Sequence, residues 1–105
     1  MRERSAGDQS LAWGNELLIL RALATAPATL RELALTLSTI RQVDVSHPLV
    51  GIACQRMADK GWVDGDKRVT IGTRPYQLWT IQARGRRVLD ETMAVLVRAG
   101  LGTTL

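Results

Sequence analysis

Between Arg56 and Arg87 the chain places eight basic side chains (Arg56, Lys60, Lys67, Arg68, Arg74, Arg84, Arg86 and Arg87) against three acidic ones (Asp59, Asp64 and Asp66). Residues 1–55 carry five of each sign, and residues 88–105 carry one basic and two acidic, so the formal net charge of +4 arises in this middle stretch. Cations gathered in this way hold an anionic partner and form the electrostatic footprint of a nucleic-acid binder. Beside them stand Gln55 and Arg56, whose side chains can make paired hydrogen bonds to the edges of adenine and guanine. Catalytic chemistry has far less to draw on. There is one histidine, His47, and one cysteine, Cys54, which falls on an inward position of its helix. The carboxylates are scattered, and no glycine-rich phosphate loop, Gly-x-Gly-x-x-Gly or His-Glu-x-x-His pattern occurs. A single cysteine excludes an internal disulfide and a cysteine-pair metal motif. No catalytic residue, cofactor site or metal site is expected.

The elements that must position these groups follow from spacing. Residues 46–60 predict a helix whose inward face is Val50, Ala53, Cys54 and Met57, at i, i+3, i+4 and i+7. Ser46 can cap its amino end, Pro48 fits the first turn, where its missing N–H costs nothing, and Gly61 stands where a helix stop is expected. His47, Pro48, Leu49, Ile52, Gln55, Arg56 and Asp59 then face outward. Trp62 and Val63 open an extended segment, residues 64–75 are basic and rich in turn formers, and Tyr76–Ile81 is again extended. Lys67, Arg68, Thr73 and Arg74 fall in or beside the loop of this hairpin. Arg84, Arg86 and Arg87 fall in the first turns of a last helix over about 83–99, where the macrodipole disfavours positive charge by a few tenths of a kcal/mol each. An approaching phosphate would explain them.

Elsewhere residues 1–9 read as a loose polar tail and residues 100–105 as a frayed end, leaving one domain over 10–99. Ser10 can cap a first helix from Leu11 to about Thr25, and Pro27 ends it. That helix has two apolar stripes where a surface helix needs one. Thr29-Leu-Arg-Glu32 has the spacing of a capping box and opens a second helix. Leu30, Leu33, Ala34 and Leu37 form its inward face, it ends near Ser38, and a linker over 39–45 follows. The doubled face of the first helix and the broad face of the last predict a homodimer through Leu11, Trp13, Leu17 and Leu20 together with Leu89, Met93 and Leu96. No run approaches the ~18 apolar residues of a membrane span, and no signal-peptide pattern opens the chain. A cytoplasmic protein without a membrane partner is expected.

The order helix, helix, helix, strand, strand, helix resembles the winged-helix transcriptional regulators of the PadR and MarR type. Met57-Ala-Asp-Lys-Gly-Trp-Val63 is similar to their junction of a leucine, two or three polar residues and Gly-Leu-Ile/Val. Tyr76-Gln-Leu and Ile81-Gln-Ala-Arg-Gly-Arg-Arg-Val-Leu89 are similar to their Tyr-x-Leu and Leu-Thr-x-x-Gly-Arg-x-Leu-Leu segments. Gln82 occupies the usual threonine position, so that helix lacks a strong cap. The resemblance spans roughly residues 11–97. It implies an α+β, mainly helical fold, a winged helix-turn-helix with a C-terminal helix, and a dimeric repressor of transcription on double-stranded DNA. In that reading Ser46, His47, Pro48, Leu49, Ile52, Gln55 and Arg56 meet the major groove, with Leu49 or Ile52 against a thymine methyl. Lys67, Arg68, Thr73 and Arg74 lie along the phosphate backbone or dip into the minor groove. The alternative is a protein-interaction module that uses the apolar face around Leu49 and Ile52.

Overall fold

The computed structural model describes residues 11–100. Four helices and one hairpin follow in the order α1 (Gly14–Thr25), α2 (Leu30–Arg41), α3 (His47–Asp59), β1 (Val63–Ile71), β2 (Arg74–Ile81) and α4 (Ala83–Arg98). The element order is the one the sequence predicts. Several boundaries differ, each for a local reason.

Helix α1 starts at Gly14 rather than Leu11, with Trp13 at the cap position and no side-chain cap bond. Ser10, predicted as the cap, lies outside the described residues, as do the predicted tail over 1–9 and residues 101–105. Ala12 is enclosed, and its N–H donates to the buried Thr92 hydroxyl of α4 at 3.0 Å. That bond joins the segment before α1 to α4.

Helix α2 opens on the predicted capping box. The Glu32 N–H donates to Thr29 Oγ1 at 3.2 Å, and the Thr29 N–H donates to Glu32 Oε1 at 2.8 Å. The helix runs one turn beyond Ser38, to Arg41. Ser38 and Thr39 do not break it because their hydroxyls donate back to the carbonyls of Ala34 and Leu35, at 2.7 and 2.9 Å. Ser38 Oγ also accepts the N–H of Val45 at 2.9 Å. It thereby fixes the shortened linker, which leaves α2 through Gln42 at a left-handed φ of 58°.

Helix α3 is capped by Ser46, whose hydroxyl accepts the Leu49 N–H at 3.3 Å, and Pro48 lies in its first turn. Val50, Cys54 and Met57 enter the core as predicted. Burial pushes the Cys54 thiol up to about 12, so it is not a thiolate at neutral pH. Gly61 leaves the helix with φ 78°.

The hairpin departs most from expectation. Most of the predicted turn-rich stretch over 64–75 is strand, and only Gly72 and Thr73 form the loop. Gly72 has φ 66°, the conformation that two-residue hairpin turns demand of their first residue. Pairing runs from Val63 with Ile81 to Ile71 with Arg74, and the register slips between Asp64 and Lys67. The slip is a bulge of one residue, which absorbs the Gly65-Asp66 pair that reads as a turn in the sequence. β2 also pairs on its other side, by a single bridge, with Ala28 of the α1–α2 connection.

One core gathers Ile19, Leu20 and Leu23 of α1, Leu33 and Leu37 of α2, the inner face of α3, Trp62, Val63, Trp79, and Val88 and Leu89 of α4. Leu20 and Leu89 were expected to meet a second copy of the chain. Leu20 is 0% and Leu89 9% exposed, so both close the chain's own core instead. α4 reaches that core by close backbone approach: a Cβ on Gly85 would lie 2.1 Å from the carbonyl oxygen of Trp62. The same oxygen accepts the Gln82 N–H at 2.9 Å. Gln82 makes no side-chain cap bond, in keeping with its place where the resembled regulators have a threonine.

Candidate nucleic-acid interface

The buried stripe of α3 leaves its other face outward. Ser46, His47, Pro48, Leu49, Ile52, Gln55 and Arg56 are all exposed, as the helical spacing predicts. Leu49 and Ile52, at 46% and 54%, are unusually open for residues of their size. Gln55 is not idle: its Nε2 donates to Asp59 Oδ1 one turn on, at 3.2 Å. Beside this face a shallow cleft runs between the start of α1 and α3, lined by Trp13, Asn15, Glu16, Leu49, Ile52, Ala53 and Arg56. Sequence spacing put Trp13 on a stripe of α1 with Leu17 and Leu20. A wheel drawn on one helix does not show which neighbour a side chain meets, and no signal in the sequence joins Trp13 to Leu49.

The hairpin sorts its charges along its length. Near the base, a groove between α3 and β1 is lined by Gln55, Asp59, Asp64, Asp66, Gln77 and Trp79 among others. Asp64 Oδ2 accepts the Asp66 N–H at 3.3 Å and so closes the bulge. Lys67, Arg68, Thr73 and Arg74 occupy the distal half and are exposed. Because strand residues alternate and paired residues share a face, Lys67 and Arg74 stand on one face with Val69 and Tyr76. Arg68 shares the opposite face with Gln77 and Trp79, the one turned to α3. Its Nη1 donates to the carbonyls of Gly65 and Lys67, both at 3.2 Å, so Arg68 braces the bulge. Sequence reasoning treated the three cations as equivalent, and the pairing separates them.

The arginines of α4 form a different group. α4 begins directly after the base of β2, a strand of eight residues, so roughly 25 Å of strand separates Arg84, Arg86 and Arg87 from the hairpin tip. Arg84 Nη1 donates to the Lys60 carbonyl at 3.4 Å. It thus places its positive charge at the carboxyl end of α3, where the dipole favours it. Lys60 itself lies 4.4 Å from the Trp62 ring centroid and 3.8 Å from Glu16 Oε1. Arg87 borders the same groove with Asp59, Trp62, Val88 and Glu91. For Arg84 the fold supplies a reason that the macrodipole argument did not anticipate.

Among the described residues no group of three or more His, Cys, Asp or Glu side chains can hold a metal ion. No described helix is long and apolar enough to cross a membrane.

Three solved structures resemble this arrangement closely in shape and distantly in sequence. Bacillus subtilis PadR in complex with operator DNA superposes with a TM-score of 0.63 at 14% identity, over 72% of this chain. A PadR family regulator from Clostridium difficile R20291 gives 0.69 at 12% identity, over 82% of this chain and 90% of its own. A PadR family regulator from Eggerthella lenta gives 0.67 at 21% identity, over 85% of this chain and 79% of its own. The chain has the winged-helix fold of the PadR regulators. The β1–β2 hairpin is the wing, and α3 is the helix in front of it. The match spans 44% of the Bacillus subtilis PadR chain. No family model and no curated protein matches the sequence.

Proposed function

We propose that the protein is a regulator of transcription, acting as a repressor, that binds double-stranded DNA with α3 in the major groove and the distal wing on the phosphate backbone. The observation that carries this reading is the pairing of an exposed helix face with a basic wing in a fold that Bacillus subtilis PadR uses on operator DNA. Gln55 and Arg56 supply the hydrogen-bonding groups for base edges. Lys67, Arg74 and the tip residue Thr73 supply phosphate contacts that position the protein without reading sequence. Arg86 and Arg87 reach phosphates only if the duplex extends past the base of the wing. A homodimer through the first and last helices would set two copies of α3 on a two-fold site. Leu11, Leu17, Met93 and Leu96 are only partly covered within one chain and are open to such a contact.

Fluorescence anisotropy of a labelled random-sequence duplex at two salt concentrations tests the electrostatic part. Binding at low salt should weaken with a log–log slope of about −0.9 per phosphate contacted. A flat titration at low salt would sink the reading. Exposure of Leu49, Ile52 and Trp13 favours one alternative, a module that docks a protein through that face. Association that persists at salt sufficient to strip DNA would support it.

A further inference from the structure

We infer that Trp13 belongs to the DNA-reading surface, and that the cleft it forms with Leu49 and Ile52 takes thymine methyls and the adjoining sugar edge of the duplex. This rests on the DNA-binding reading above and adds a residue and a base preference to it. Continuity is the first argument. Trp13, Leu49, Ile52 and Arg56 line one cleft, so whatever Arg56 approaches also meets Trp13. Position is the second. Trp13 follows Ala12, which is enclosed and bonded to Thr92, and its carbonyl accepts the Leu17 N–H at 3.5 Å. Its backbone is therefore held on both sides.

Chemistry narrows the occupant. Leu49 and Ile52 offer no donor or acceptor, and the one apolar group that base pairs display in the major groove is the thymine C5-methyl. An indole adds a broad apolar ring with a single N–H donor at its edge, suited to a sugar face with a phosphate oxygen beside it. Charge agrees. Glu16, the carboxylate of the cleft, lies 3.8 Å from Lys60 Nζ, which leaves Arg56 as the charge facing the partner. A cleft whose one acidic group is paired with Lys60 and whose one basic group is Arg56 suits the edge of a duplex.

The test uses the full chain and a duplex selected by it from a random-sequence pool, together with the same duplex carrying deoxyuridine for thymidine. Trp62 and Trp79 are 2% and 3% exposed and Trp13 is 50% exposed, so acrylamide quenching reports chiefly on Trp13. DNA should lower the quenching constant at least twofold, and Trp13→Phe should abolish that change. Deoxyuridine should weaken the wild type by about fourfold per methyl buried, and should weaken Ile52→Ala less. The methyl comparison on the wild type needs no variant, so a poorly folding Trp13→Phe does not spoil it. Binding with Trp13 still fully quenchable and no methyl effect would overturn the inference and leave the DNA-binding reading standing. Shielding of Trp13 that grows with protein concentration in the absence of DNA would overturn it in favour of a second copy. Failure of every duplex to bind at low salt would overturn both.

Discussion

The two ends of the β1–β2 hairpin share one ladder and differ in everything else. At the base Val63 and Trp79 are buried, Ala28 bridges β2, and Trp62 holds the start of α4 through its carbonyl. The groove toward α3 is lined there by the carboxylates Asp59, Asp64 and Asp66, whereas Lys60, Arg84 and Arg87 border a separate groove at Trp62. At the far end no residue is buried, and Lys67, Arg68 and Arg74 are the charged groups. Attachment to the core and exposed positive charge are thus separated along about nine residues of strand. A phosphate chain that ran into the base groove would meet three carboxylates, so the charge pattern directs it to the distal half.

The largest way to break this contrast is to disturb the base. In Gly85→Ala the new Cβ would sit 2.1 Å from the Trp62 carbonyl oxygen, and a backbone atom cannot swing aside. The start of α4 must move off the wing base. Overpacking of this kind costs about 3 kcal/mol, or roughly 12–24 °C of melting temperature in a domain of this size. Thermal unfolding followed by circular dichroism measures it. An unchanged melting temperature would mean that α4 is not docked as described.

Next comes the distal end. Lys67→Glu with Arg74→Glu changes two exposed side chains on one face. Stability should shift by no more than about 0.5 kcal/mol. DNA affinity should fall at least tenfold on every sequence alike, and the salt slope should lose about two contacts' worth. Loss of stability in this variant, or loss of affinity without a change in slope, would erase the distinction between the two ends. Arg68 is left out of the pair because it braces the bulge through the Gly65 and Lys67 carbonyls.

The same contrast explains what was legible in the sequence. Local chemistry could be read: the Thr29–Glu32 box, the Ser46 cap, the stop at Gly61 and the inward stripe of α3 all depend on residues within one or two turns. The wing's extent could not. Gly65, Asp66, Gly72 and Pro75 each favour turns, and only pairing with the partner strand decides that Gly65 and Asp66 form a bulge and Pro75 a strand residue. Gly65 is held there because an added Cβ would strike the Trp79 ring at 2.8 Å, a contact twelve or more residues away in the chain. Site residues divide likewise. The outward face of α3 was correct from spacing, whereas the place of Trp13 beside Leu49, and of Arg84 on the Lys60 carbonyl, depends on how helices pack.

The smallest expected effect sharpens the boundary between the two ends. Gln55 lies on the outward face of α3, yet its amide already donates to Asp59 at 3.2 Å. While that bond holds, adenine can take only the amide's second N–H and its oxygen, in the one orientation Asp59 permits, so the net gain is small. Gln55→Ala should therefore lower affinity for a selected site by only about 0.5–1 kcal/mol. Asp59→Asn should act in the opposite direction. It removes a carboxylate from the groove beside the wing base, and it leaves an acceptor for Gln55 in its amide oxygen. Affinity should rise a few-fold at low salt, where unscreened repulsion is largest, and the gain should fade as salt is added. Competition anisotropy on one selected duplex, with both variants against the wild type, reads the two effects together. A loss of affinity in Asp59→Asn would mean that the carboxylate aids binding by orienting Gln55, and the base groove would then belong to the contact surface.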